Sequence, residues 1–311
     1  MTLKNTRNKA AGWVSRARLE IRRDAVDDWS LSPRLAELLF LVPFVGAVLV
    51  AASRLDLSLF RFITSEDRLL EWSQFAAYAA TVPVALFVAL RLRRNGARLG
   101  AGVFLLLAVG ALLVAGEEIS WGQRIFGVET PENLRALNRQ GEIGVHNVSS
   151  VEHVLIVGFM LAGLYGSLVP WLALRRPLVK ERLGLFVPPL YLTSFFFVVF
   201  LHRLARLALP ALESDTAFVK FGEWPELCFA TALLQFALLT ARGKLRAPSP
   251  APAGAAATGR GRGAVRAGRS KAWRRLDGPG LGSGVPPAAA ADREDAHLLQ
   301  SGERGDAPRD R

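Results

Sequence analysis

Two adjacent carboxylates, Glu117 and Glu118, directly follow an apolar run that covers residues 99–115. Neighbouring carboxylates at the end of a membrane-length apolar run repel each other and resist burial, so they need a proton, a cation or an arginine as partner. We therefore expect Glu117 or Glu118 to serve as a proton acceptor or as a metal ligand.

Three of the four histidines also lie near ends of apolar runs: His146, His153 and His202. Imidazoles and carboxylates suit general acid–base catalysis, for which the candidates are Glu117, Glu118, His146 and His202. The same side chains suit zinc or another divalent ion, for which the candidates are His146, His153, His202 and Glu118. The sequence leaves both alternatives open. It weakens the metal hypothesis because no two histidines are three or four residues apart, the spacing that places two ligands on one helix face.

Two arginines follow these groups at helical spacing. Arg124 follows Glu117 by seven residues, and Arg206 follows His202 by four. A guanidinium binds phosphate and carboxylate through paired hydrogen bonds. We expect Arg124 or Arg206 to hold an anionic group such as phosphate. Glu117, Glu118, His146 and His202 are expected around one outward-facing cavity, with Glu71 and His153 close by.

Apolar segments of about 17–23 residues must position these side chains, and each is long enough to cross about 30 Å of hydrocarbon. The sequence therefore predicts an all-α fold, a polytopic transmembrane helix bundle of about six spans. In the fifth, Pro188 and Pro189 predict a kink. The expected spans are residues 35–52, 72–90, 99–115, 151–173, 183–201 and 225–241.

Basic residues in alternate loops predict the orientation. Loops 91–98 and 174–182 each hold four Lys or Arg, whereas loops 53–71, 116–150 and 202–224 are balanced or acidic. Because cytoplasmic loops carry an excess of Lys and Arg, both termini are expected in the cytoplasm. All the candidate carboxylates and histidines then lie outside, at one leaflet, where a shared cavity would offset the cost of polar groups at membrane depth.

Charge and composition also predict the domain organisation. Residues 1–34 form a basic cytoplasmic segment, 35–241 the transmembrane domain, and 242–311 a cytoplasmic tail that is disordered because it is rich in Ala, Pro, Gly and Arg. The net charge of +12 comes almost wholly from the two terminal segments. Basic segments beside spans indicate membrane lipids as partners and not nucleic acid. The excess of Arg over Lys is typical of a GC-rich bacterial genome, and the expected location is the bacterial cytoplasmic (inner) membrane.

The third loop, 116–150, is expected to contain a short helix of its own. Thr130 and Pro131 are typical of an N-cap followed by a proline in the first turn, and Gly141 is typical of a helix end. Leu134 and Leu137 lie one turn apart between polar residues. We expect an amphipathic helix at the membrane surface.

The block from Gly116 to Arg124, together with the later segments 138–142 and 146–147, resembles a family of uncharacterised bacterial multi-pass membrane proteins. These residues read Gly-Glu-Glu-Ile-Ser-Trp-Gly-Gln-Arg, then Asn-Arg-Gln-Gly-Glu and His-Asn. The resemblance implies a class of protein and no particular reaction.

Three functions remain open. The first is a membrane protein without assigned chemistry that presents an outward polar site of Glu and His. The second is a membrane-embedded enzyme, acid–base or metal-assisted, that acts on a lipid or lipid-linked substrate. The third is a transporter, for which Pro188 and Pro189 are the sole support. Simpler roles also exist for single residues: Arg203 is expected to extend to headgroups, and Glu223 and Glu226 to complement a helix N-terminus.

Overall fold

The computed structural model describes the backbone of residues 3–65, 67–130, 132 and 149–244. Within these ranges it describes all side chains except those of residues 3–11, 124, 125, 149, 150 and 244. This part of the chain is helical and contains no strand. The helices are α1 (Leu3–Asp27), α2 (Pro33–Ala52), α3 (Leu57–Thr64), α4 (Leu69–Arg94), α5 (Arg98–Glu118), α6 (Gln123–Phe126), α7 (Ser149–Arg175), α8 (Pro177–Leu183), α9 (Thr193–Ala208), α10 (Thr216–Phe221) and α11 (Glu223–Leu239).

Six helical segments in the described part are long and apolar enough to cross a membrane. This number confirms the prediction of an all-α bundle with six spans. The observed segments are Pro33–Leu55, Leu57–Arg94, Arg98–Glu118, Val151–Arg175, Leu190–Ala208 and Thr216–Gly243. The helix expected at residues 130–141 lies outside the described residues, as does the tail beyond residue 244.

The fifth span begins later than the sequence predicts. Residues 184–189 are not helical, so the chain breaks between α8 and α9 and the expected kink is wrong. Two successive prolines supply no backbone N–H and disfavour helical geometry in the residue before them. The helix restarts with a 3₁₀ turn at Leu190, whose N–H donates to the Asp24 carboxylate at 2.7 Å.

That carboxylate belongs to α1, which is part of the folded bundle. Ile21 and Ala25 of α1 and the following Trp29 are buried in the core with α9 and α11. On its exposed side, Arg18 donates to Glu37 of α2 at 2.6 Å. The basic N-terminal segment therefore supports the spans, a role that its composition does not indicate.

Five of the six spans are arranged as two helix pairs around one helix, and α2 packs against α9 and α11. α4 packs along α5, α7 packs along α9, and α11 lies between them in contact with α4 and α9. At the α4–α5–α11 contact the buried residues are mostly small: Ala77, Ala111, Ala115 and Ala230. Small side chains let membrane helices approach closely, which brings polar groups at the helix ends together.

Candidate functional site

The ends of four spans meet at one end of the bundle. There α4 and α11 begin and α5 and α9 end, which is the grouping of helix ends that the predicted topology requires. Because membrane helices carry their polar residues at their ends, this meeting concentrates polar side chains. We call the following residues the carboxylate cluster: Gln74, Tyr78, Glu118, Arg203, Glu223 and Glu226.

Glu223 and Glu226 lie in the first turn of α11. A negative charge is favourable there because the helix N-terminus carries unpaired N–H groups. Both residues also contact side chains of other helices. Glu223 accepts a hydrogen bond from Gln74, and Glu226 accepts one from Arg203. Helix-end complementation, expected from the sequence, therefore explains only part of their role.

Gln74 is fully buried on α4. Its amide nitrogen donates to the Glu223 carbonyl at 3.1 Å and to the Glu223 carboxylate at 2.9 Å. Its amide oxygen has no hydrogen-bond partner among the described residues. Gln74 thus fixes the start of α11 against α4 and presents one unused acceptor at the site.

Tyr78 lies one turn further along α4 and is 1% exposed. Its hydroxyl has no hydrogen-bond partner within the described part of the chain. It lies within electrostatic range of Glu118, Glu226 and Arg203. A buried hydroxyl without a partner costs about 1–3 kcal/mol, so its presence here needs a reason outside stability.

Glu118 ends α5 and is partly buried. The charges that act on it are carboxylates from three helices: Glu71, Glu117, Glu223 and Glu226. Its neighbour Glu117 accepts a hydrogen bond from the Trp121 indole at 2.7 Å. The repulsion expected between Glu117 and Glu118 therefore also involves Glu71, Glu223 and Glu226. Arg203 is the cation that contacts one of these acids, Glu226.

A strained turn follows Glu118. Ser120, Trp121 and Gly122 have φ values of 47°, 53° and 78°. Left-handed backbone costs about 1–3 kcal/mol for a residue that is not glycine. The turn folds the Trp121 ring back onto Gly116, where a Cβ would lie 2.8 Å from that ring. This geometry explains why Gly116, Trp121 and Gly122 occur together in the block 116–124.

Arg203 is buried, with 4% exposure, so the expectation that it extends to headgroups is wrong. Its guanidinium pairs with Glu226 and lies 5.2 Å above the centre of the Phe159 ring. Its Nε has no hydrogen-bond partner among the described residues. Sequence reasoning missed Arg203 as a site residue. The available signal was its position one residue after His202, which places both on adjoining faces of α9.

Arg206, a predicted anion site, lies in a separate ion-pair network. It donates to Glu213 at 2.6 and 2.8 Å and to Glu152 at 3.0 Å. The hydrogen bond from Arg206 lowers the pKa of Glu213. An anionic ligand would have to compete with both carboxylates. The other predicted anion site, Arg124, has a side chain that lies outside the described residues.

His202 is buried beside the cluster and packs on the α10–α11 connection. Its ring centre lies 4.8 Å from that of Phe218, and its Nε2 is 3.5 Å from the Phe218 carbonyl oxygen. Its Nδ1 has no hydrogen-bond partner within the described chain. Arg203 and Arg206 both act on it electrostatically.

Of the three candidate histidines, the structure describes two, and only His202 is buried. His153 is exposed at the start of α7, and His146 lies outside the described residues. Among the residues that were described, no group of three or more His, Cys, Asp or Glu is arranged to hold a metal ion. The metal hypothesis, which includes His146 among its ligands, stays a prediction.

Fold and site together define a class: a multi-pass, all-helical membrane protein with a partly buried carboxylate cluster at one end of its bundle. Comparison of the chain with protein-family models, curated proteins and solved structures finds no match. The resemblance of residues 116–124 to an uncharacterised membrane family therefore stays a prediction that rests on those residues.

Proposed function

We propose that this protein is a membrane-embedded enzyme that uses the carboxylate cluster for acid–base catalysis on a lipid or lipid-linked substrate. One observation carries the proposal: the unpartnered hydroxyl of Tyr78, 1% exposed, within electrostatic range of Glu118. Polar groups that are buried at a span end and incompletely paired reduce stability, and they are typical of sites that bind or transform a ligand.

The chemistry follows from the excess of acids. Carboxylates that lie close together do not all ionise, because like charges disfavour each other, so the cluster holds both a proton acceptor and a proton donor. We assign Glu118 as acceptor of a proton from a hydroxyl or water nucleophile. Glu223, held by Gln74, begins protonated and donates that proton to the leaving group as the bond between substrate and leaving group breaks, and the proton gained by Glu118 restores Glu223 for the next turnover. This division of roles is the one that general acid–base catalysis requires.

The transporter alternative has less support. Carriers of this kind place a broken helix at the substrate site. Here the break before α9, at Pro188 and Pro189, lies at the opposite end of the span from Arg203. The cluster and the break therefore do not form one site.

The proposed orientation places the carboxylate cluster at the outer leaflet of a bacterial inner membrane, with both termini in the cytoplasm. The support is the distribution of basic residues. The bundle end opposite to the cluster carries Arg91, Arg93, Arg94, Arg98, Lys180 and Arg182. An outer-leaflet substrate then reaches the cluster without crossing the membrane.

Glu118→Gln tests this function, because it keeps the size of the side chain and removes the proton acceptor. Glu181→Gln, at an exposed position of α8, is the matched control. Purified variants in proteoliposomes of bacterial total lipid are incubated, and lipid products are measured by mass spectrometry. We expect conversion of at least one lipid by wild type and control, and a rate about 10²–10⁴-fold lower for Glu118→Gln. Equal lipid profiles for all three proteins would overturn the proposal.

A further inference from the structure

An apolar groove opens between α5 and α7 on the membrane-facing side of the bundle. Its volume is about 520 Å³, and apart from Tyr78 every residue that lines it is apolar. α5 and α7 form its walls, while Phe229 of α11 lies at its base. Both walls belong to membrane-spanning segments, so the medium that meets this groove is the hydrocarbon of the bilayer.

Two glycines line the groove and face open space. A Cβ added to Gly110 of α5 or Gly158 of α7 would meet nothing within 4 Å. Elsewhere in α7, Gly163 and Gly166 have the usual packing role, because a Cβ there would lie 2.7 Å from the backbone of Phe200 or 2.1 Å from the ring of Phe196. Close helix approach therefore explains Gly163 and Gly166 and leaves Gly110 and Gly158 unexplained.

The groove leads to the carboxylate cluster through two shared residues. Tyr78 lines the groove and interacts electrostatically with Glu118. Phe159 lines the groove and supports the Arg203 guanidinium. A molecule that fills the groove thus has its apolar part in hydrocarbon and its polar part beside the cluster, which is the shape of a membrane lipid.

We propose that the acyl groove, between α5 and α7, binds one acyl chain of a bilayer lipid whose head group carries an ammonium group that meets the acids around Glu118. The apolar lining selects the chain. The charge of the cluster selects the head group, because Glu118 is surrounded by four further carboxylates and an ammonium group offsets their repulsion. This inference rests on the proposed function and names the substrate class of the same site.

Photolabelling in nanodiscs tests the groove. The probe is phosphatidylethanolamine with a diazirine on one acyl chain, in a bilayer of phosphatidylethanolamine and phosphatidylglycerol. Labelled peptides are mapped by mass spectrometry.

Gly110→Leu and Gly158→Leu fill the groove from either wall, so one variant suffices if the other does not fold. Gly102→Leu is the matched control, because it lies on α5 outside the groove and its Cβ also meets nothing within 4 Å.

We expect labelling of residues 103–114 and 154–159 in wild type and Gly102→Leu, and at least a fivefold loss in the groove variants. Equal labelling in all of these proteins would overturn the chain site.

The head-group assignment has its own readout. Glu118→Gln should keep groove labelling by the probe and remove its preference over the same diazirine on phosphatidylglycerol. An unchanged preference would overturn the ammonium assignment. Groove labelling by a protein that converts no lipid would overturn the enzyme and leave the lipid site standing, so the two failures are distinguishable.

Discussion

At the scale of single residues, the two buried arginines of α9, Arg203 and Arg206, differ in their hydrogen-bond partners. Arg206 donates three hydrogen bonds to Glu213 and Glu152, whereas Arg203 pairs with Glu226 and has an Nε without a partner among the described residues. A guanidinium held by two carboxylates stabilises the fold, because any ligand must first displace a carboxylate. Arg203 lies beside the acids of the carboxylate cluster and holds one of them, Glu226. We therefore assign Arg206 to stability and Arg203 to the site.

The Arg206 network predicts a pH dependence of stability. The pKa of Glu213 is lowered from 4.5 by the Arg206 hydrogen bond, so its carboxylate stabilises the fold above pH 4.5 and loses that effect as the pH falls through the lowered pKa. Glu213 is partly exposed, so we expect the ion pair to stabilise the fold by no more than about 1 kcal/mol.

Wild type should melt higher than Glu213→Gln at pH 7, and the difference should shrink towards pH 3. Thermal unfolding in detergent across this range measures it; Glu129→Gln, at an exposed position, should show no such trend. A difference that is constant with pH would contradict the ion-pair assignment.

At the scale of elements, the helices within each pair contact each other closely, whereas a gap separates the two pairs at α5 and α7. α4 and α5 approach through alanines, and α7 and α9 through glycines, so backbones meet without large side chains. In hydrocarbon such close packing supplies much of the association energy, since there is no hydrophobic effect between helices. α5 and α7 face each other across the acyl groove, where their residues meet no such counterpart. The acyl groove therefore lies between the α4–α5 pair and the α7–α9 pair.

This contrast predicts opposite effects for one substitution at two positions of α7. A Cβ at Gly163 would lie 2.7 Å from the Phe200 nitrogen and 2.9 Å from the Phe196 oxygen, so Gly163→Ala must separate α7 from α9. We expect a loss of about 1–3 kcal/mol. Gly158→Ala meets open space and should gain up to about 1 kcal/mol through helix propensity. Reversible unfolding in mixed detergent measures both. Equal effects at the two positions would show that the α7–α9 contact is not as close as described.

At the scale of the whole molecule, charge is divided between the two ends of the bundle. One end carries the carboxylate cluster and the other carries mainly arginines. Such a division fixes orientation during insertion, because basic loops stay in the cytoplasm. It also concentrates acids at the end that we propose to face outward, where substrate is expected to enter. The break before α9 and its cap by Asp24 belong to the basic end.

Reporter fusions test the orientation. Alkaline phosphatase, which is active outside the cytoplasm, is fused after Arg94, Gly144 or Arg176. We expect activity only from the Gly144 fusion, because its loop is acidic and the other two loops are basic. A fluorescent protein that folds in the cytoplasm should give the inverse pattern. Alkaline phosphatase activity after Arg94 would reverse the orientation and place the carboxylate cluster inside.

The sequence by itself determined the class of fold and the number of spans. A helix in hydrocarbon satisfies its own backbone hydrogen bonds, so length and apolarity suffice to identify it without knowledge of its neighbours. For the same reason the sequence located Glu117 and Glu118 at a span end. It also predicted that acids from several helix ends lie at one end of the bundle, as Glu118, Glu223 and Glu226 do.

Tertiary structure alone decided which of these groups meet. Arg203 and Arg206 are one turn apart on α9, yet one pairs with Glu226 of α11 and the other with Glu152 of α7, because the two sides of α9 contact different helices. The restart of the helix after Pro188 and Pro189 likewise involves the distant Asp24, whose carboxylate accepts the hydrogen bond from the Leu190 N–H. The local sequence shows which side chains a span carries. Only the packing of the spans specifies the neighbours that each side chain reaches.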